Sequence, residues 1–270
     1  MHATTLALVG ATGGAGTTRT AVELAALGAR DGRDVAVVDA AFTTQGLSEY
    51  VSGRIGTDLT TLITDEADAP LSAATYPIAS GDGHAESSGA GGGNDAPNLP
   101  GRADAIPARA PFERVARAKT AEAARKLERR IDEAATSYDA VIVDAAPAGS
   151  NEAVAGVTTA DRTAAVFPAT THGRDALQRL RGRIADVGAG VDRSIAVAQS
   201  VEKEATIGGG AESDANVRLP ATDPAVANAP TAATGDGEHV RAVAAAFEDA
   251  FDATVEIEFE EPGLVDRLTP

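Results

Sequence analysis

Five short stretches of the chain are almost continuously apolar: Leu6–Val9, DVAVVDA ending at Asp39, YDAVIVDAAP around Asp144, RTAAVFPA, and SIAVAQSV. Apolar runs of this length, without alternation, mark strands buried on both faces. Between them the apolar period becomes helical. Thr18–Arg30 places Val22, Ala25, Ala26 and Ala29 on one stripe before Asp31-Gly32 breaks it. Gly173–Val187 and Glu238–Phe251 read as further helices, and DLTTLITDEA as a short one. Phe112–Ala135 predicts one long helix anchored by Phe112, Val115, Leu127 and Ile131. ADAIPA reads as a short strand, and NVRLPATDPAVANA as a strand running into a loop and helix. TVEIEFEE alternates Val255, Ile257 and Phe259, which predicts a late strand. Strands alternating with helices predict an α/β fold, a mostly parallel sheet with helices on both faces, in one domain over residues 1–270.

Two segments fall outside this pattern. Ser80–Arg102 is Gly, Ser, Asp and Pro with almost nothing to bury, and is expected to be a disordered insertion. Glu202–Asn216 reads as an acidic, flexible, glycine-rich loop.

Composition narrows the class. Forty acidic residues stand against 23 basic ones, a net charge of −17, and only Lys119, Lys126 and Lys203 are lysines. This balance resembles proteins of salt-loving archaea. A field of that sign repels phosphate, so neither nucleic acid nor an anionic membrane is an expected partner. Aromatic residues make up 3%, so Ala, Val, Leu and Ile must fill the core. The absence of cysteine excludes disulfides, thiolate catalysis and cysteine metal sites. No signal peptide and no run of roughly 18 apolar residues is present, which predicts a soluble, cytoplasmic protein.

The candidate chemistry lies in LVGATGGAGTTRT, where the first strand enters a glycine turn and a helix leaves it. Such a turn aims successive backbone N–H groups and a helix N-terminus at an anion. Two templates fit: a dinucleotide turn through Gly10, Gly13 and Gly16, as in short-chain reductases, or a phosphate loop of the deviant Walker A type. Gly16 lies 19 positions before Val35, a longer helix than the reductases resembled by this turn carry. None of Tyr50, Tyr76 and Tyr138 has a lysine four residues on, as the reductase dyad requires.

On these residues the chain resembles the ParA/MinD family of P-loop ATPases. VVDAAF is similar to that family's DxD segment, YDAVIVDAAPAG to its Walker B strand, and VRLPATDPAVANA to the segment near the adenine. The resemblance runs from about Leu6 to Phe251 outside the two polar segments. It implies a phosphate cradle of Gly13, Gly14, Ala15, Gly16, Thr17 and Thr18. It implies an Mg²⁺ site at Thr18, Asp39 and Asp144. ATP and Mg²⁺ are the implied cofactors.

The departures are equally specific. Thr17 and Thr12 stand where the family carries its two lysines, Ala41 stands at the second DxD carboxylate, and Gln199 replaces an adenine-reading Asn. The resemblance therefore implies weak or absent ATP binding, little hydrolysis and no catalytic residue. It points to a regulatory or scaffolding role with a protein partner, a homologous ATPase or a second copy. A working ATPase, with Arg19 or a partner's residue supplying the charge, is one alternative, and an NAD(P)-binding reductase-like protein is another. The acidic end EIEFEEPGLVDRLTP lacks the basic amphipathic helix of a membrane anchor.

Overall fold

The computed structural model describes residues 3–65, 68–78, 99–147, 149–199 and 214–259. Eight strands form one sheet: β1 (Thr4–Gly10), β2 (Asp34–Ala40), β3 (Tyr76–Pro77), β4 (Arg102–Ile106), β5 (Ala140–Ala145), β6 (Arg162–Pro168), β7 (Arg193–Val197) and β8 (Val217–Leu219). Their order is β3-β4-β2-β5-β1-β6-β7-β8, all parallel except β3 against β4. In a dinucleotide fold the first strand neighbours the second. Here β5 stands between β1 and β2, so the reductase alternative is set aside on topology.

The strands are apolar because both faces are covered. Leu6, Leu8, Val35, Val37 and Ile142 point to one side, where α1 (Thr17–Arg30) and α7 (Glu238–Phe251) pack. Ala7, Val9, Ala36, Val38, Val141 and Val143 point to the other. That face is covered by α2 (Leu59–Thr64), α3 (Phe112–Ala118), α4 (Ala121–Ala135), α5 (Asn151–Thr159) and α6 (Thr171–Asp186). Gly28 lets α1, β2 and α7 meet closely, since a Cβ there would lie 2.7 Å from Val35 and 3.0 Å from Phe247.

Several expectations are corrected. Phe112–Ala135 is two helices, because Thr120 adopts an extended conformation and its hydroxyl caps α4 at the Ala123 N–H. Phe112 is no anchor, being 87% exposed at the start of α3. TVEIEFEE pairs with no strand over its described residues. Val255, Ile257 and Phe259 do face the core, but Val255 N–H donates to the Glu248 side chain and Glu256 N–H to Asp31. The helix expected after β8 is a single 3-10 turn, Val226–Asn228. Helix α5 was not expected at all. Within Ser80–Arg102, residues 80–98 lie outside the described residues, but Arg102 opens β4 beside Asp34. Within Glu202–Asn216, residues 202–213 lie outside them, and the Asn216 carboxamide accepts from Ser194 N–H.

Candidate functional site

The strand ends fix where a ligand can sit. β1 runs into α1 on one face, while its neighbour β5 runs into α5 on the other. Adjacent strands whose connections diverge leave a crevice at their carboxyl ends, where open α/β sheets bind ligands. The glycine turn, Asp144 and Asp39 all lie at that edge.

The turn leaves β1 at Ala11, whose N–H donates to Val166 of β6 at 2.8 Å. Gly13 and Gly14 are exposed, Ala15 is buried, and Gly14 and Gly16 adopt φ of 72° and 88°. Positive φ at these two positions is what the glycines permit, and Gly16 caps α1 in the left-handed region. Thr17 turns back over the end of β1: a Cβ at Gly10 would lie 2.7 Å from its hydroxyl. Thr12 is half-buried, with its carbonyl near the same point.

Thr18 lies on the first turn of α1, and its hydroxyl donates to Asp144 Oδ2 at 2.6 Å. Asp39 and Asp144 are register partners on β2 and β5, and both are fully buried. The sequence-predicted trio Thr18, Asp39 and Asp144 is therefore brought together. Asp39 accepts from Ala41 N–H at 2.9 Å and from Ala108 N–H at 3.2 Å. Burial first, and then the neighbouring Asp144, push the Asp39 carboxyl up to about 8 against those two bonds. Burial pushes Asp144 up to about 6, opposed by the Thr18 hydroxyl. Asp58, which the sequence did not single out, caps α2 and adds a smaller upward push on Asp39.

Aspartates serve differently at the opposite edge of the sheet. Asp139, Asp161 and Asp192 each accept, at 2.8 Å, an N–H at the start of a neighbouring strand: Asp34, Thr5 and Thr163 respectively. Those three tie strand starts together. Asp39 and Asp144 sit at strand ends, buried beside each other, and that arrangement is not explained by strand capping alone.

Two carboxylates and a hydroxyl are hard oxygen donors of the kind that Mg²⁺ takes, with water and substrate oxygens completing the shell. Among the described residues no group of three or more His, Cys, Asp or Glu is placed to hold a metal. The cationic side of the site is different. Arg19 follows Thr18, but its Nε donates to Glu23 at 2.7 Å and its Nη1 to the Asp223 carbonyl at 3.2 Å. Glu23 is itself buried and accepts from Thr231 and Ala232 N–H. Lys119 donates to Thr43 at 2.8 Å and pairs with buried Glu152 at 3.3 Å. Gln199 is exposed just beyond β7. Apart from Glu23, which stands at i+4 from Arg19, these partners are long-range, carry no local sequence signal, and were missed by sequence reasoning.

Strand order, diverging helices and the glycine turn define the class of a P-loop NTPase-like α/β domain. No protein-family model matches the chain, and no curated protein matches it by sequence. Among solved structures it is similar to septum site-determining protein MinD with Mg-ADP from Pyrococcus horikoshii. That match has a TM-score of 0.70 at 18% identity over 92% of this chain and 95% of that one. A chain of the MinC:MinD cell division protein complex from Aquifex aeolicus gives 0.67 at 16%, over 95% and 98%. A ParA family ATPase from Chlorobium tepidum gives 0.64 at 19%, over 83% and 87%. The fold is that of the MinD and ParA ATPases.

Proposed function

We propose that the chain is a salt-adapted cytoplasmic relative of the MinD and ParA ATPases with a degenerate nucleotide site. It binds Mg–ATP weakly or not at all, hydrolyses it negligibly, and acts by contacting a protein partner, a homologous ATPase or a second copy of itself. The observation that carries this reading is the pair Thr17 and Thr12 at the two lysine positions, with Arg19 held instead by Glu23 and the Asp223 carbonyl. The same commitment of Arg19 weighs against a working ATPase that draws its charge from that residue.

In this reading Gly13–Thr18 offers backbone N–H groups to phosphate, while Thr18 and Asp144, with Asp39 beside them, would hold Mg²⁺. The cation would neutralise phosphate charge. Phosphoryl transfer depends almost wholly on positioning and charge neutralisation. Thr17 supplies neither, and Ala41 has no carboxylate to orient water. Solved relatives support the nucleotide assignment, one carrying Mg-ADP, and a MinC:MinD complex supports the partner assignment.

The test is Mg–ATP calorimetry in molar KCl on the wild type and Thr17→Lys. A charge-assisted hydrogen bond contributes about 1.5–3 kcal/mol, so the variant should bind roughly 10- to 150-fold more tightly. Wild-type turnover within about tenfold of an active MinD or ParA ATPase assayed alongside, abolished by Asp144→Ala, overturns the proposal.

A further inference from the structure

A second polar site lies away from the glycine turn, on the helical layer opposite α1. Lys126, Arg129, Arg130 and Glu133 share one stripe of α4, spaced as helix-face neighbours are. With Leu62 of α2 they line a cavity of about 190 Å³. Three cations around one cavity are unexpected in a chain of net charge −17 with only three lysines.

Their commitments differ. Arg130 is buried and fastened, donating to Glu133 at 2.6 Å and to the Ala69 carbonyl at 2.7 Å. The other Glu133 oxygen accepts from Leu71 N–H at 2.9 Å. Arg130 and Glu133 thus neutralise each other while tying α4 to the segment before β3. Lys126 pairs at 3.2 Å with Glu122, which is 77% exposed, and exposed pairs of that kind hold weakly. Arg129 is exposed and makes no hydrogen bond or ion pair among the described residues. The cavity therefore has one positive charge, on Arg129, with no partner among the described residues, and a second, on half-buried Lys126, held by a single pair to exposed Glu122.

We propose that this cavity binds a small phosphate-type oxyanion, of the size of inorganic phosphate or diphosphate. The Arg129 guanidinium offers a planar fork matched to such oxygens, and Lys126 a compact charge one helical turn away. A water needs about 10–15 Å³ of such volume, so the cavity has room for several waters or one such anion. The acidic surface does not forbid binding in salt. Screening shortens the reach of its field to about 3 Å at 1 M, so the local charges decide.

The test is NMR of the ¹⁵N-labelled full chain, titrated with potassium phosphate or potassium diphosphate against KCl at fixed ionic strength. The expected result is saturable shifts at the Arg129 side chain and at α4 backbone amides from Lys126 to Arg130. The variant Lys126→Gln/Arg129→Gln should bind at least about tenfold more weakly, equivalent to about 1.4 kcal/mol. Arg129 is exposed and Lys126 half-buried with its charge paired only to exposed Glu122, so the melting temperature should stay close to that of the wild type. Shifts confined to residues 11–18, equal shifts with KCl alone, or undiminished binding by the variant each overturn the proposal. The wild-type shifts decide the question even if the variant misfolds.

Discussion

The buried carboxylate pair gives the sharpest test of the site. Asp39 and Asp144 are register partners on adjacent strands, which places their backbones about 4.8 Å apart. Two like charges about 5 Å apart at an effective dielectric near 20 repel by about 3 kcal/mol. Burial is the larger cause and raises both carboxyls above the ordinary value of 3.8, with the repulsion adding to it at Asp39. A folded-state value above the unfolded one means that the native protein keeps protons that the unfolded chain has already released. The native state carries no penalty well below pH 3.8, where both states are protonated. Stability falls as pH rises from the unfolded value near 3.8 towards the folded values of about 6 and about 8, and levels off above them. Asp144→Asn removes one charge while its side-chain oxygen still accepts from the Thr18 hydroxyl. At pH 8.5 without divalent cation it should stabilise the protein by about 3 kcal/mol, or roughly 5–10 °C in melting temperature for a chain of this size. At pH 4 the two proteins should melt within about 2 °C of each other, since the native carboxyl is protonated and the linkage penalty has only begun to build. The assay is thermal unfolding by circular dichroism across that range in constant 2 M KCl. A variant less stable than wild type at pH 8.5, or a difference independent of pH, refutes the electrostatic reasoning.

Two further outcomes follow from other parts of the molecule. With a net charge of −17, the melting temperature should climb between 0.1 and 3 M KCl as the screening length falls below about 3 Å; a flat midpoint in the same assay contradicts salt adaptation. Glu23→Gln should cost about 3–5 kcal/mol, because it leaves Arg19 without its buried charge partner and sets an NH₂ group against the amides of Thr231 and Ala232. Urea unfolding measures this, and a loss under about 1 kcal/mol would show that the network is not a structural clasp.

The strands were legible because burial on both faces leaves an unbroken apolar run, and the helix of the glycine turn because its apolar stripe is complete. The split between α3 and α4 had a local signal in Thr120, a good capping residue, but the long run of helix-forming residues on either side outweighed it. TVEIEFEE shows the limit of periodicity. Its alternation correctly assigns Val255, Ile257 and Phe259 inward, yet the segment lies across α1 and α7, bonded to side chains. Alternation reports a surface half-covered and says nothing of what covers it. Arg102 was lost in a polar window whose composition outweighs a single residue, and only its register beside Asp34 places it in the sheet. At the candidate site, the glycines and the two strand-ending aspartates could be named from sequence. The i,i+4 pairing of Arg19 with Glu23 was open to sequence reading, but the Asp223 carbonyl and the Glu152 partner of Lys119 were not, because they are 204 and 33 residues away and nothing local marks them.

The site's charge balance ties these observations to the proposed function. Asp39 and Asp144 are retained at some expense to stability, since a buried like-charged pair opposes the fold whenever both groups are ionised. A divalent cation between Thr18 and the carboxylates would remove that opposition, whatever else was bound. A nucleotide triphosphate would then add about four negative charges at the mouth of the turn, a helix N-terminus worth about half a positive charge. In the family that this chain resembles, lysines offset part of that excess; here Thr17 and Thr12 do not. The crevice as built is therefore close to neutral with a divalent cation alone and strongly under-neutralised with Mg–ATP. Divalent cation should raise the melting temperature at pH 8 by itself, and ATP should add little until Thr17 is made a lysine.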